Sequence, residues 1–278
     1  MRIAITGATG RVGSAIVDMA LADGHSLVCI DRVAPAEEVE QPPNATFVEA
    51  EISDYDALVS AMRGCEALVH MAAIAAPGHH PDHVVHSNNV VGSYNALRAA
   101  AELGIQRVCQ ASSINAIGSA YSRMPRYNYF PVDELHPTYS EDPYSLSKWV
   151  CELQAESMVR RYNDMTIASM RFHGVVPEKA HMMQWDGTDG ATLSKHLWGY
   201  TLFGAAARAC LLSLTADIHG AEVFFIVGPD STSKVPSLEL ARRHYPNVPI
   251  TGDLSGHNSF FNSTKAERLL GWKHPSGS

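Results

Sequence analysis

Arg2-Ile3-Ala4-Ile5-Thr6-Gly7-Ala8-Thr9-Gly10-Arg11-Val12-Gly13 is the stretch that decides the fold of this chain. Residues 2–6 make a short apolar strand. Three glycines follow, and then Ile16, Val17, Met19, Ala20 and Leu21 recur at helical spacing. Glycines between a strand and a helix let the backbone turn tightly and approach a pyrophosphate, whose charge the helix N-terminus favours. The spacing is G-x-x-G-x-x-G rather than G-x-G-x-x-G, so the strand-turn-helix context carries the reading more than the motif does. Asp23-Gly24-His25 ends the helix, and Ser26 to Ile30 form a second strand closed by Asp31, 18 residues past Gly13. A carboxylate at that point is placed to bond the ribose hydroxyls of an adenine dinucleotide. It favours NAD and repels a 2′-phosphate, while the adjacent Arg32 softens that preference and leaves NADP open.

A second stretch, Asp142-Pro143-Tyr144-Ser145-Leu146-Ser147-Lys148-Trp149, carries chemistry. Pro143 is suited to open a helix, so Tyr144 and Lys148 stack one turn apart on one face. Free tyrosine has a pKa of about 10. An ammonium one turn away is expected to lower it by charge interaction and make the phenol a general acid/base. Ser113 follows the strand Val108 to Ser112, where a hydroxyl can donate to a substrate oxygen beside Tyr144. Ser112 competes for the role, and Asn115 lies within reach of the same substrate.

Strands are predicted at 46–48, 67–70, 107–110 and 166–171, and helices at 54–62, 89–103 and 144–162. Such alternation specifies an α/β chain with a Rossmann-type, doubly wound parallel sheet whose ligands sit at the carboxyl ends of the strands. Residues 1–171 would form the dinucleotide-binding domain. Residues 172–278, with a helix near 200–214, a strand at 222–227 and a helix at 263–270, would form a small substrate-binding portion interleaved with the sheet. The 278 residues suffice for a large core. A net charge of −8 argues against nucleic acid and anionic membrane partners. No apolar run reaches membrane-spanning length and no leader is apparent, so a cytoplasmic location is expected. Cys29, Cys65, Cys109, Cys151 and Cys210 are scattered and odd in number, which fits reduced core thiols.

The order of these landmarks is completed by Val69-His70-Met71-Ala72-Ala73, Asn89-Val90-Val91-Gly92, Ala111-Ser112-Ser113, Met170-Arg171-Phe172 and Ser263-Thr264-Lys265-Ala266 through Trp272. Together they resemble an extended short-chain dehydrogenase/reductase of the NAD-dependent epimerase/dehydratase family. The resemblance implies a Ser113-Tyr144-Lys148 triad in which Lys148 also bonds the nicotinamide ribose. It prefers Ser113 over Ser112, because the family's active serine is the one nearer the following loop. It implies cofactor contacts at Gly7, Thr9, Gly10, Arg11, Val12, Asp31, Arg32, Glu51, Ile52, Met71, Ala72, Ala73, Asn89, Tyr144, Lys148 and Phe172. Substrate contacts would come from Ala75, Ser113, Asn115 and His173. Relatives commonly dimerise through the helices equivalent to 89–103 and 144–162, so a homodimer is expected, although the apolar stripes there also suit a core.

Departures from the family pattern narrow the chemistry. Ser113-Ile114-Asn115 stands where dehydratases carry Thr-Asp-Glu, so no acidic pair is available to protonate a leaving hydroxyl. Gly174 and Ala205 occupy positions that are usually Asn and Asp, which disfavours nucleotide sugars and points to a small substrate: a sugar, a sugar acid or a modest alcohol. His79, His80, His83 and His86 have spacing open to zinc, to substrate contact or to bare surface; no metal is expected. The aromatic segment 121–139 would cap the site or pack on the core. The expected activity is hydride transfer between NAD and a secondary alcohol or hemiacetal. An epimerase using the same triad and a catalytically idle NAD-binding regulator are the alternatives.

Overall fold

The computed structural model describes residues 1–33, 42–183 and 190–275. Seven strands form one sheet in the order β3-β2-β1-β4-β5-β6-β9: β1 (Arg2–Thr6), β2 (Ser26–Asp31), β3 (Ala45–Glu49), β4 (Ala67–His70), β5 (Arg107–Ser113), β6 (Thr166–Phe172) and β9 (Gly220–Ile226). Every pairing is parallel. The strand order reverses between β1 and β4, which is where a doubly wound sheet opens its ligand crevice. β4 and β6 are buried along their whole length, as strands covered on both faces require.

Two apolar layers sandwich the sheet. On one side α1 (Arg11–Ala22), α7 (Phe203–Ser213) and α9 (Thr264–Leu270) enclose Ile3, Ile16, Cys29, Phe224, Leu270 and Trp272. On the other, α2 (Tyr55–Ala61), α3 (Asp82–Glu102) and α4 (Pro143–Arg161) close over Val28, Leu58, Leu97, Val108 and Ile167. Residues after Phe172 therefore contribute both β9, the edge strand, and α7, which packs on α1. The carboxyl-terminal part is woven into the sheet layers.

A third cluster lies beyond the carboxyl ends of the strands. There Tyr127, Phe130 and Val132 pack with Trp198, Phe225, Leu240 and Phe260. Single bridges, Phe130 to Ile250 and Val132 to Phe261, stitch the segment after β5 to the carboxyl-terminal part. Tyr127, Phe130 and Val132 of the aromatic segment 121–139 are thus core, Tyr129 and Tyr139 are half-buried, and Tyr121 reaches the crevice.

Several elements depart from the sequence reading. α3 begins at Asp82, seven residues before Asn89, because Pro81 opens the turn and Asp82 complements the helix N-terminus. The region expected to start a helix near Tyr200 instead forms β8 (Thr201–Leu202), paired with β7 (Val175–Val176), before α7 begins at Phe203. The short helices α5 (Lys179–Met183) and α6 (Gly190–Lys195) and the strongly amphipathic α8 (Ser237–His244) were not foreseen. All five cysteines are unpaired and buried.

Candidate active site

The β1–α1 turn closes on itself so tightly that only glycine fits. Gly7 has φ +70°, and a Cβ there would meet the Ala72 amide nitrogen at 2.7 Å. A Cβ on Gly13 would lie 2.0 Å from the Gly7 carbonyl oxygen. Gly10 precedes α1 with no side-chain cap, so the first amides of the helix remain directed at the crevice. At the end of β2 the Asp31 carboxylate accepts the Thr9 amide at 3.0 Å and the Arg32 amide at 2.8 Å. This ties the second strand to the glycine turn. A pyrophosphate cradle backed by a ribose-binding carboxylate is what an adenine dinucleotide fits.

These groups line a cavity of about 790 Å³ that runs across the carboxyl ends of the strands. Gly7, Thr9, Gly10, Arg11, Val12, Asp31, Arg32, Glu51, Ile52, Met71, Ala72, Ala73 and Phe172 all reach it, as do Ala75, Ser113, Asn115, Tyr144, Lys148 and His173. Asn89, expected among the cofactor contacts, does not. Its Oδ1 accepts the Ile74 amide at 2.8 Å, and its Nδ2 donates to the Ile74 carbonyl and to Ser147 Oγ, both at 3.0 Å. Asn89 therefore clamps the β4 loop onto α4, and its neighbour Asn88 stands on the cavity wall. His79, His80 and Tyr121, for which the sequence left contact with the site open, also line the cavity, as does His196, which the sequence reading missed. The histidine cluster had pointed to this region. Nothing local marked His196, whose approach depends on the folding of the carboxyl-terminal part.

Asp142 caps α4, accepting the Tyr144 and Ser145 amides at 3.0 and 2.9 Å, and Pro143 occupies the first turn. This fixes the side of the helix that carries Tyr144 and Lys148. The Ser113 hydroxyl, which accepts the Asn115 amide at 3.1 Å, acts on Tyr144 to lower its pKa. Tyr121 stacks edge-on against the Tyr144 ring with centroids 5.7 Å apart. Ser112 turns away, donating to Glu152 Oε1 at 2.5 Å. Asn115 is committed at both ends: its Nδ2 donates to Ser113 Oγ at 3.2 Å and its Oδ1 accepts the Ala120 amide at 2.8 Å. It orients the serine more directly than it offers itself to a substrate.

The electrostatics correct one expectation. Burial pushes the Tyr144 phenol above its usual value, and the Ser113 hydroxyl only partly offsets this. Lys148 does not reverse it. Its Nζ donates to the Ala111 carbonyl at 2.9 Å and sits 5.8 Å from the centre of the Tyr144 ring. Burial also lowers Lys148, opposed by Cys151 and Glu152. In a dry site, desolvating the phenolate outweighs a cation that is not in direct contact with its oxygen.

His173 is likewise less available than expected. Gly174 N donates to its Nδ1 at 2.6 Å and its Nε2 meets the His196 carbonyl at 2.8 Å. Burial holds the ring neutral, with a pKa pushed down to about 3. Among the described residues no group of three or more His, Cys, Asp or Glu is arranged to hold a metal ion, and no helix is long and apolar enough to cross a membrane.

Residues 3–185 match the family model described as the NAD dependent epimerase/dehydratase family. A UDP-glucose 4-epimerase of Mycolicibacterium smegmatis is 33% identical over 174 residues, covering 59% of this chain and 53% of that protein. The chain spans little more than half the length, or less, of such curated relatives. Among solved structures, a UDP-glucose 4-epimerase from Thermotoga maritima superposes with a TM-score of 0.73 at 20% identity, covering 99% of this chain and 94% of that one. A mutated uronate dehydrogenase gives 0.71 at 20% identity, covering 100% and 82%. At these identities the structural likeness establishes the fold.

Proposed function

We propose, from the premise that this chain belongs to the NAD-dependent epimerase/dehydratase family, that it is a nicotinamide-dependent oxidoreductase. It would move a hydride between NAD and a secondary alcohol or hemiacetal of a small substrate. The observation that carries this reading is the convergence of Ser113, Tyr144 and Lys148 on the wall of the cavity that the glycine turn and Asp31 also line. Family membership and the fitted cradle both support NAD as the cofactor, and the Asp31 carboxylate favours it over NADP.

When bound, the nicotinamide accepts or returns hydride, and in its oxidised form it brings positive charge to the site. The side chains supply the rest. Tyr144 takes the hydroxyl proton of the substrate, Ser113 donates to the substrate oxygen and orients it, and Asn115 holds Ser113. Lys148, anchored on the Ala111 carbonyl, would bond the nicotinamide ribose. The raised Tyr144 pKa makes alcohol oxidation increase with pH, since only the phenolate accepts a proton.

An epimerase is the second reading, favoured by the epimerases among the relatives. The two are separated by NADH formed per substrate consumed in the presence of excess NAD. A ratio near one supports the dehydrogenase. A ratio near zero with an inverted stereocentre assigns the epimerase. The exposed side chains of Val91 and Tyr94 on α3 and of Leu146 and Leu153 on α4 support a homodimer formed through these two helices.

A further inference from the structure

If Tyr144 is the proton partner, the substrate occupies the part of the cavity beyond it, walled by Ala75, Asn88, Tyr121, His173 and His196. None of these five side chains carries a permanent charge. Among the described lining residues the only lysine and arginines are Arg11, Arg32 and Lys148. Arg11 opens α1 and Arg32 follows the Asp31 carboxylate, so both belong to the nucleotide end, and Lys148, beside Tyr144, has its ammonium fixed to the Ala111 carbonyl. Among the described residues no lysine of the carboxyl-terminal part lines the cavity. Lys179 pairs with Asp230, and Lys195 donates to the Ser122 carbonyl at 3.0 Å.

The two imidazoles of the wall, His173 buried and His196 half-buried, do not replace the missing cation. His173 has both ring nitrogens held by backbone, and burial keeps His173 and His196 neutral, with pKa values of about 3 and about 4. Their arrangement is enforced: Leu197 and Trp198, directly after His196, adopt φ +51° and +49°, a backbone region costly for residues that carry a Cβ. Gly199 packs so closely on His173 that a Cβ would lie 2.7 Å from its ring. His79 and His80 are exposed at the rim, where water and salt screen any charge. With a net charge of −8 on the chain, the wall offers an anion no compensation.

We propose, resting on the oxidoreductase reading, that the substrate is a small uncharged polyhydroxylated molecule, an aldose or polyol, held by neutral hydrogen-bonding side chains rather than a charge clamp. For a cyclic aldose, oxidation breaks the C1–H and O1–H bonds of the hemiacetal. The hydride passes to NAD, the proton passes to Tyr144, and C1 becomes the carbonyl of a lactone.

The test is a matched panel with purified protein and NAD: glucose, galactose and xylose, then glucuronate and galacturonate, then UDP-glucose and UDP-glucuronate. NADH formation and product stereochemistry are followed together. A charged hydrogen bond the site cannot make is worth about ten- to a hundredfold. The best neutral sugar should therefore exceed its uronate in kcat/KM by at least about tenfold. A uronate or UDP-sugar that equals or exceeds the neutral sugars overturns the inference and leaves the oxidoreductase reading intact. Absence of both NADH and an inverted product across the panel overturns both. Ala75→Arg, which places a cation on the wall, should shift the uronate-to-sugar preference towards the uronate by about tenfold or more. An unchanged preference would contradict the assignment of that wall to the substrate.

Discussion

Arg171 on β6 grips Glu152 on α4 with two hydrogen bonds, Nε to Oε1 at 2.8 Å and Nη2 to Oε2 at 2.7 Å, and both side chains are buried. Glu152 lies one helical turn past Lys148 and also receives the Ser112 hydroxyl, so this pair locks α4, which carries Tyr144 and Lys148, to the strand ends beside Ser113. Removing one partner of a buried pair strands the other charge and costs about 3–5 kcal/mol, whereas replacing both with apolar residues is often neutral. Glu152→Met should therefore destabilise the fold by roughly that amount. Glu152→Met combined with Arg171→Met should recover most of it in chemical denaturation. A double variant no more stable than the single would show that the pair acts through something other than mutual neutralisation.

Three histidines held neutral, His70 and His173 buried and His196 half-buried, should set the acid limit of stability. His70, His173 and His196 have folded pKa values near 3, 3 and 4, depressed chiefly by burial. The unfolded chain protonates them at about 6.5. A depressed value means that the unfolded state binds the extra protons, so stability is complete above about pH 6.5 and falls as the pH drops below it. Each histidine contributes a slope of roughly 1.4 kcal/mol per pH unit between its two pKa values. Thermal melts should show a steep fall in Tm below pH 6. His70→Asn, which retains a side chain able to accept the Thr6 hydroxyl (now 2.7 Å from His70 Nδ1), should flatten that fall. An unaltered slope would mean that His70 does not titrate in this window.

Cofactor choice turns on Asp31. NAD should bind more tightly than NADP, and Asp31→Ala should narrow the gap while weakening NAD, since the carboxylate also braces Thr9 N and Arg32 N. Fluorescence titration of both dinucleotides checks this. A preference for NADP in the unmodified protein would contradict the role given to the carboxylate.

Assembly is testable by charge. Val91 and Tyr94 are 44% and 45% exposed on α3, and Leu146 and Leu153 are 37% and 41% exposed on α4. Sedimentation should report a dimer that Tyr94→Glu with Leu153→Glu converts to a monomer. A monomer before substitution removes the homodimer.

Much of this architecture was legible in the chain because local rules and tertiary context agree there. The glycine turn, the Pro143-opened helix and the strand-helix alternation each follow from short-range geometry, and the observed strands match the expected ones within a few residues. What remained hidden depends on partners distant in sequence. Asn89 looks like any polar helix residue until Ile74 and Ser147 fold against it. His173 looks available until the backbone at Gly174 and His196 takes both its nitrogens. The Tyr144 pKa was expected from charge alone, and burial, which no spacing reveals, reversed its sign. The wall at His196 rests on left-handed backbone at two non-glycine residues, a conformation no local preference anticipates.

The role of Tyr144 is the central claim, and single-turnover hydride transfer with saturating NAD and a competent substrate tests it most directly. Tyr144→Phe removes only the phenolic oxygen from a ring packed against Tyr121, so the fold and NAD affinity should persist. The rate of NADH formation should fall by about 10²- to 10⁴-fold, the usual contribution of a general acid/base. A Phe variant that transfers hydride at close to the native rate would contradict the account.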